Sequence, residues 1–440
     1  MALPRLIHSY YYRSFSCFLG YIYVFFAFFA VSMSPVVLRL CRAVYIRKSK
    51  KGEPKSMTPR ERFLETLLFG RPDKIPFSPG GPRESTLAAW HRQGLSEDRD
   101  YMDVLHDLID AKRADRGLPP GDYRPCKPWT DPGVSFQMIP KFQEEVLEHR
   151  DGHYIVRDWM GAITEISDRF DYTYIRSAKD FVTRKWHKFP VENRHDWEQM
   201  KWRFDPRHPE RFPADFDERC ARLRERDYPL VVHFNGPFWQ LREFCGMEGL
   251  CMMMLEQPDL VREMACFWME FCSVAMRPIL KRVTPDMLHF SEDMAFKEHP
   301  MISPDMTREF CAPCYRRWLE EAKAAGIPLF AVDSDGRVDA LIPVWLECGI
   351  NCVDPMEVAA GNDINAFRAR FGRRLAYQGG IDKRAIAAGG ATMRTEIDRI
   401  RPVVEDGGYI PGCDHGVPPD IAWPDFQEYA LYLAEITGWL

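Results

Sequence analysis

Several short stretches put groups that can take up, hold or release a proton close together. "GYIPGCDHGVPPD" sets Cys413, Asp414 and His415 side by side, between Gly412, Gly416, Pro418 and Pro419. Such bracing suits a side chain that must be held still. "VDSDG" carries Asp333 and Asp335, which share a side in extended backbone; the same letters are also good turn chemistry. "HFSEDM" offers Glu292 and Asp293, which could equally cap a following helix. "VVHFNG" offers His233 and Asn235, and His233 could equally be a satisfied core histidine. Arg83 follows "FSPGGP", Glu357 lies in "DPMEV", and Asp382 and Lys383 lie in "GGIDKR". Carboxyls and imidazoles do acid–base work, and cations such as Arg83 and Lys383 can hold a carboxylate.

Each stretch closes a short apolar run and precedes a helical pattern. From residue 229 onward strand and helix signals alternate through "PLVVHFNGPFW", "DMLHFSED", "IPLFAVDSDG", "INCVDPMEV", "RLAYQGGID" and "GYIPGCDHGV". Repeated strand–helix units predict a parallel sheet. No G-x-G-x-x-G opens a helix after the first strand, so a closed (β/α)8 TIM barrel is expected rather than an open doubly wound sheet. The site of a barrel lies at the C-terminal mouth of its strands, so these seven strand ends are expected to line one pocket. Upstream, "RERFLETLLFG" predicts a helix ending at Gly70, and "KIPFSPGGP" a short strand. "HYIVRDWMGAITEIS" alternates as an inserted antiparallel hairpin does. "SPDMTREFCAPCYRRWLEEAKAAG" predicts a helix capped by Ser303 and stopped at Gly326.

The chain has 440 residues, 46% hydrophobic and 28% charged, with a mean hydropathy of -0.35. This is a globular composition with ample core material. The net charge of -5 carries no nucleic-acid signature. Residues 1–56 hold nine Lys/Arg against one Glu, and the remainder 50 against 63 acidic residues. Residues 17–40 are nearly all apolar and long enough to cross a bilayer, with a Lys/Arg-rich stretch after them. They read either as a membrane anchor for a cytoplasmic body or as sequence ahead of a true start at Met57. In both cases the body, residues 57–440, is placed in the cytoplasm or on the cytoplasmic face of the membrane. Thirteen scattered cysteines favour reduced thiols, and the lone C-x-x-C, Cys311 and Cys314, reads as helix interior.

Four of these stretches, in order over roughly residues 57–440, resemble the uroporphyrinogen decarboxylase superfamily. They are "MTPRERFLETLLFGRPDKIPF", "NGPFWQLREFCGMEG", "LAYQGGIDKRAI" and "GCDHGVPPD". The resemblance implies a (β/α)8 barrel and one of two chemistries. Its decarboxylases need no cofactor and use arginines, an aspartate, a tyrosine and a histidine. Here Phe244 stands at the tyrosine position, the aspartate segment has no clear counterpart, Arg83 matches loosely, and His415 matches. Its methyltransferases bind zinc through a His-x-Cys pair and a later cysteine and work with corrinoid proteins. Here Asp333 and Asp335 occupy the pair and only Cys413 matches, a set that suits a harder metal or none.

The leading expectation is an acid–base decarboxylase without cofactor, acting on a porphyrinogen-like (tetrapyrrole) or other carboxylated substrate. Asp333, Asp335, Glu292 and His415 are its catalytic candidates. Arg83, His233, Asn235, Asp293, Glu357, Asp382 and Lys383 are the expected substrate contacts. The alternative is a corrinoid-dependent methyltransferase with a divalent metal, held by Cys413 and His415 if by anything, and a corrinoid protein as partner. A membrane-anchored binding protein on a degenerate barrel is the third reading. No nucleic-acid partner is expected, and a homodimer stays open.

Overall fold

The computed structural model describes residues 56–123, 131–173 and 182–440. The extension over residues 1–56, with its apolar stretch, lies almost wholly outside them. Among the described residues no helix is long and apolar enough to cross a membrane. Residues Met57–Leu440 form one compact unit.

Four antiparallel strands come first: β1 (Glu145–Arg150), β2 (His153–Arg157), β3 (Ile163–Ser167) and β4 (Arg184–Lys188), paired in that order. The predicted hairpin is the β2–β3 pair. Asp151 and Gly152, both at positive φ (51° and 74°), make the tight β1–β2 turn, the backbone that Asp-Gly favours in hairpins.

Six parallel strands follow: β5 (Val231–Asn235), β6 (Met287–Ser291), β7 (Leu329–Asp333), β8 (Cys352–Asp354), β9 (Ala376–Ile381) and β10 (Tyr409–Cys413). They pair in sequence order, with helices between them, as right-handed crossovers require. Residues 77–83 take a seventh place beside β10. The Cys413 N–H donates to the Pro79 carbonyl at 3.2 Å and the Val417 N–H to the Gly81 carbonyl at 2.9 Å, and Pro82 bridges Val417 in parallel. The approach is close: a Cβ on Gly412 would stand 2.4 Å from the Ser78 carbonyl oxygen. The architecture is TIM-barrel-like, but the described residues hold six regular parallel strands, not eight. In residues 77–83, Pro79 and Pro82 lack an N–H to donate, so no regular ladder forms there.

Alternation along the strands grades the barrel interior. At the N-terminal end Val231, Met287, Leu329, Ala331, Cys352 and Ala376 form an apolar cluster, stoppered by Phe63 and Leu67 of the helix Pro59–Leu67. That helix starts at a Thr58–Glu61 capping box. It ends before Gly70, with Phe69 instead in the left-handed region (φ 57°). One and two pleats further on, the same faces carry His233, His289, Ser291, Asp333 and Asp354, in register across neighbouring strands. The opposite faces, with Val232, Phe234, Leu288, Phe290, Phe330 and Val332, join the large core under the outer helices. Cys311 and Cys314 belong to that core, and burial pushes both thiols well above their usual range. Ser303 caps its helix as expected, accepting from the Met306 N–H at 3.1 Å.

Candidate active site

The strand C-termini open into a cavity of about 400 Å³ lined by Trp239, Asp293, Asp333, Asp335, Cys413 and His415, among others. Asp333 ends β7. Burial, with the neighbouring Asp354 carboxylate, pushes its carboxyl up to about 7, so near neutrality it is poised between acid and carboxylate. The Ser291 hydroxyl donates to Asp333 Oδ2 at 3.1 Å. Asp335 lies 3.0 Å from His415 Nε2, and His415 Nδ1 lies 3.2 Å from Arg83 Nη2. A guanidinium only donates, so Nδ1 accepts and the imidazole proton sits on Nε2, facing Asp335. The bond to Asp335 draws the imidazole pKa upward, while Arg83 and Lys383 oppose it. A second proton on His415 therefore competes with Arg83. Asp293 is reached by Arg242, which donates to its carbonyl at 2.8 Å and to Oδ2 at 3.2 Å. Burial still pushes its carboxyl up.

A second set of groups adjoins these. His233 Nε2 is 2.9 Å from Ser291 Oγ. Ser291 gives its hydrogen to Asp333, so His233 Nε2 donates to Ser291. Burial and the nearby His289 push His233 down to about 4, which keeps it neutral. For His289 burial acts downward, yet the Asp354 carboxylate, 3.1 Å away, outweighs it and the net shift is upward. Gln378 donates to Asp354 Oδ2 at 3.0 Å.

The remaining candidates sit elsewhere. Glu292, beside Asp293 in sequence, turns away from the cavity. It accepts from the Trp239 backbone N–H at 2.9 Å and from the Tyr315 hydroxyl, and burial pushes it up to about 7. Gly236 makes room: a Cβ there would stand 2.2 Å from the Glu292 carboxyl. Glu292 thus fixes the start of the helix Pro237–Cys245, which carries Trp239. Asp382 caps the helix Lys383–Ala388 through the Arg384 N–H. Lys383 is held by Glu357 at 2.9 Å, and Glu357 also accepts from the Gly336 N–H at 3.2 Å; the pair ties together the loops after β7, β8 and β9. Asp414 is buried and accepts from the Val358 and Lys383 backbone N–H groups. Expecting seven strand ends in one pocket thus merged two kinds of residue. Adjacent residues on an extended strand face opposite ways, so only part of each polar end can face the mouth.

A metal held by Cys413 and His415 does not fit this arrangement. Burial and Asp414 push the Cys413 thiol up to about 12, and both His415 nitrogens are engaged. Among the described residues no three His, Cys, Asp or Glu side chains converge as a metal site.

Trp239 also lines a second cavity of about 430 Å³, together with His233, Asn235, Glu243 and Phe244. Its far wall comes from Val134–Met138 and from Trp159 and Met160, between β2 and β3. Sequence reasoning missed Ser291, His289, Asp354, Gln378, Trp239 and Glu243. The first four were signalled: each lies two residues along a strand from another inward-facing position. Trp239 and Glu243 share a helix face at i, i+4, a spacing that also fits plain core.

A family model described as uroporphyrinogen decarboxylase (URO-D) matches residues 187–428. A search of curated proteins found no match. Among solved structures, a methyltransferase from Methanosarcina mazei is similar at 16% identity and a TM-score of 0.48, over 86% of this chain and 99% of that one. A B12-independent methionine synthase from Shewanella sp. W3-18-1 has 12% identity and a TM-score of 0.29, over 52% and 67% of the two chains.

Proposed function

The chain belongs to the uroporphyrinogen decarboxylase family, and from that premise we propose that its mouth cavity is the active site of a carboxy-lyase working by acid–base chemistry. The feature that supports this most is Asp333 at the mouth, whose carboxyl is pushed up to about 7 by burial and the Asp354 carboxylate, so that it exchanges its proton near neutrality. A general acid is most effective when its pKa lies near the working pH.

Arg83, at the cavity edge beside His415, supplies the positive charge for a substrate carboxylate. The bond to a second carboxylate breaks, CO2 leaves, and the electron pair stays on the substrate carbon. Asp333 gives that carbon its proton. The new carboxylate regains one through Ser291 from His233 Nε2 as His233 Nδ1 takes up a proton from the surroundings, so the imidazole stays neutral throughout and one proton is consumed per CO2 released. Where an electron-rich ring takes the Asp333 proton before CO2 leaves, the carboxylates of Asp293 and Asp335 and the newly formed one of Asp333 can stabilise its positive charge. Three carboxyls face Arg83, and Arg242 is already engaged by Asp293; this balance disfavours a macrocycle bearing many carboxylates, so the reading favours a smaller carboxylated substrate. Methyl transfer to a metal-bound thiolate is less well served, because among the described residues no set of three His, Cys, Asp or Glu side chains converges on Cys413.

The test is CO2 release by the purified protein from a porphyrinogen and from a panel of small aryl- and heteroaryl-acetic acids, without added metal. Release from a small acid, lost in Asp333→Asn and slowed about tenfold with a shifted pH profile in Ser291→Ala, supports the reading. Methyl transfer from methylcobalamin to a thiol, with no CO2 from any acid, would overturn it.

A further inference from the structure

The second cavity has a chemistry of its own. Its size falls within the usual range for small-molecule sites. Phe136, Trp159, Phe204, Trp239, Phe244 and Trp268 wall it, with rings packed edge to face around Phe204: 5.4 Å to Phe244 and 5.7 Å to Trp268. Among the described residues no lysine or arginine lines it. Two titratable groups do, Glu243 and His233, and His233 is neutral near pH 7 because burial pushes it down to about 4.

Glu243 is fixed in place by uncharged donors. Trp239 Nε1 donates to Oε1 at 2.8 Å. Asn235 Nδ2 and Gln240 Nε2 donate to Oε2 at 3.3 and 3.4 Å. A carboxylate offers about four acceptor positions, so one on Oε1 remains for a ligand. The nearest cations stand outside the lining. Arg242 is engaged by Asp293 and lies over the Trp239 ring; Arg184 lies near Asp158. Their pull on Glu243 is outweighed by burial, which pushes its carboxyl up.

We propose that this cavity binds an organic ammonium ion, a protonated or alkylated nitrogen on a compact apolar body, between the aromatic faces and the Glu243 carboxylate. Aromatic faces attract a cation through their quadrupole, more strongly where water is excluded. A carboxylate already held by three donors needs no reorganisation to receive it. Asp333 does not line this cavity, which meets the mouth at Trp239 and at His233, and the ammonium site does not depend on what reaction the mouth performs.

The experiment is calorimetric titration of the full chain with choline and with 3,3-dimethyl-1-butanol, its uncharged isostere. Choline should bind at least about tenfold more tightly than the alcohol, and Glu243→Gln should remove that preference. Trp159→Ala, at the other wall, should weaken choline binding while thermal unfolding reports that the variant is folded. Asp333→Asn should bind choline as the parent does, which keeps this result independent of the lyase assignment. Equal affinity for the two probes, choline binding unchanged in both wall variants, or no choline binding at millimolar concentration would each overturn the proposal.

Discussion

Two cavities share one wall, Trp239, and are nearly equal in size, about 400 and about 430 Å³, yet they are built from different parts of the chain. The mouth is made by strand ends and is rich in carboxyls. The aromatic cavity is made by the end of β5, two helices, the inserted antiparallel sheet and the segments flanking that sheet, with a single carboxyl among rings. The difference follows from local geometry. A strand repeats every two residues, so each parallel strand delivers one inward polar group per pleat to a common centre. A helix repeats every 3.6 residues, so Trp239 and Glu243, one turn apart, form one continuous face.

The largest expected effect breaks the two cavities apart. Asp333→Asn should lower kcat by about 10²- to 10⁴-fold and leave ligand binding in the aromatic cavity unchanged; a parallel loss of both would mean that they act as one site.

The shared wall comes next, since Glu292 holds the Trp239 backbone. Its folded pKa of about 7 lies above the ordinary 4.5. Its contribution is therefore complete below about pH 4.5 and is lost as the pH rises through 7. Between pH 5 and 8, urea unfolding should show the parent losing roughly 2.5 kcal/mol relative to Glu292→Gln. Stability curves that stay parallel would sink the assignment of that carboxyl as buried and protonated.

Arg83→Ala should raise KM about 10- to 100-fold with little change in kcat, and NMR titration should show the His415 imidazole moving up in pKa, since Arg83 opposes its second proton. The smallest effect marks a residue that belongs to neither cavity. Asp382→Ala should cost about 1 kcal/mol of stability, as a lost helix cap does, with kcat unchanged; a large loss of turnover would move Asp382 into the site.

Where sequence and structure agree, a short-range rule sufficed. Parallel strand–helix units, the β2–β3 hairpin, the Ser303 cap and the placing of Asp333, Asp335 and His415 near one another all follow from periodicity or capping chemistry. Where they part, the deciding facts are long-range. Glu292 and Asp293 are equally polar, and only the position of the Pro237–Cys245 helix makes one a buried support and the other a cavity wall. Lys383 reads as a free cation until the loop bearing Glu357 folds beside it. "KIPFSPGGP", residues 74–82, reads as a short strand, but Pro79 and Pro82 strip its second half of donors. The aromatic cavity was least legible, because rings at helical spacing look like core until an inserted sheet leaves space between them.

The contact between Arg83 and His415 joins positions 332 residues apart, and it sits where residues 77–83 lie against β10. On a ribosome the chain emerges from its N-terminal end and begins to fold before synthesis ends. Arg83 is then exposed early, while its imidazole partner is among the last groups made. The mouth therefore completes only when the final strand docks, and a nascent or truncated barrel lacking residues 409–417 carries Asp333 but no finished cavity.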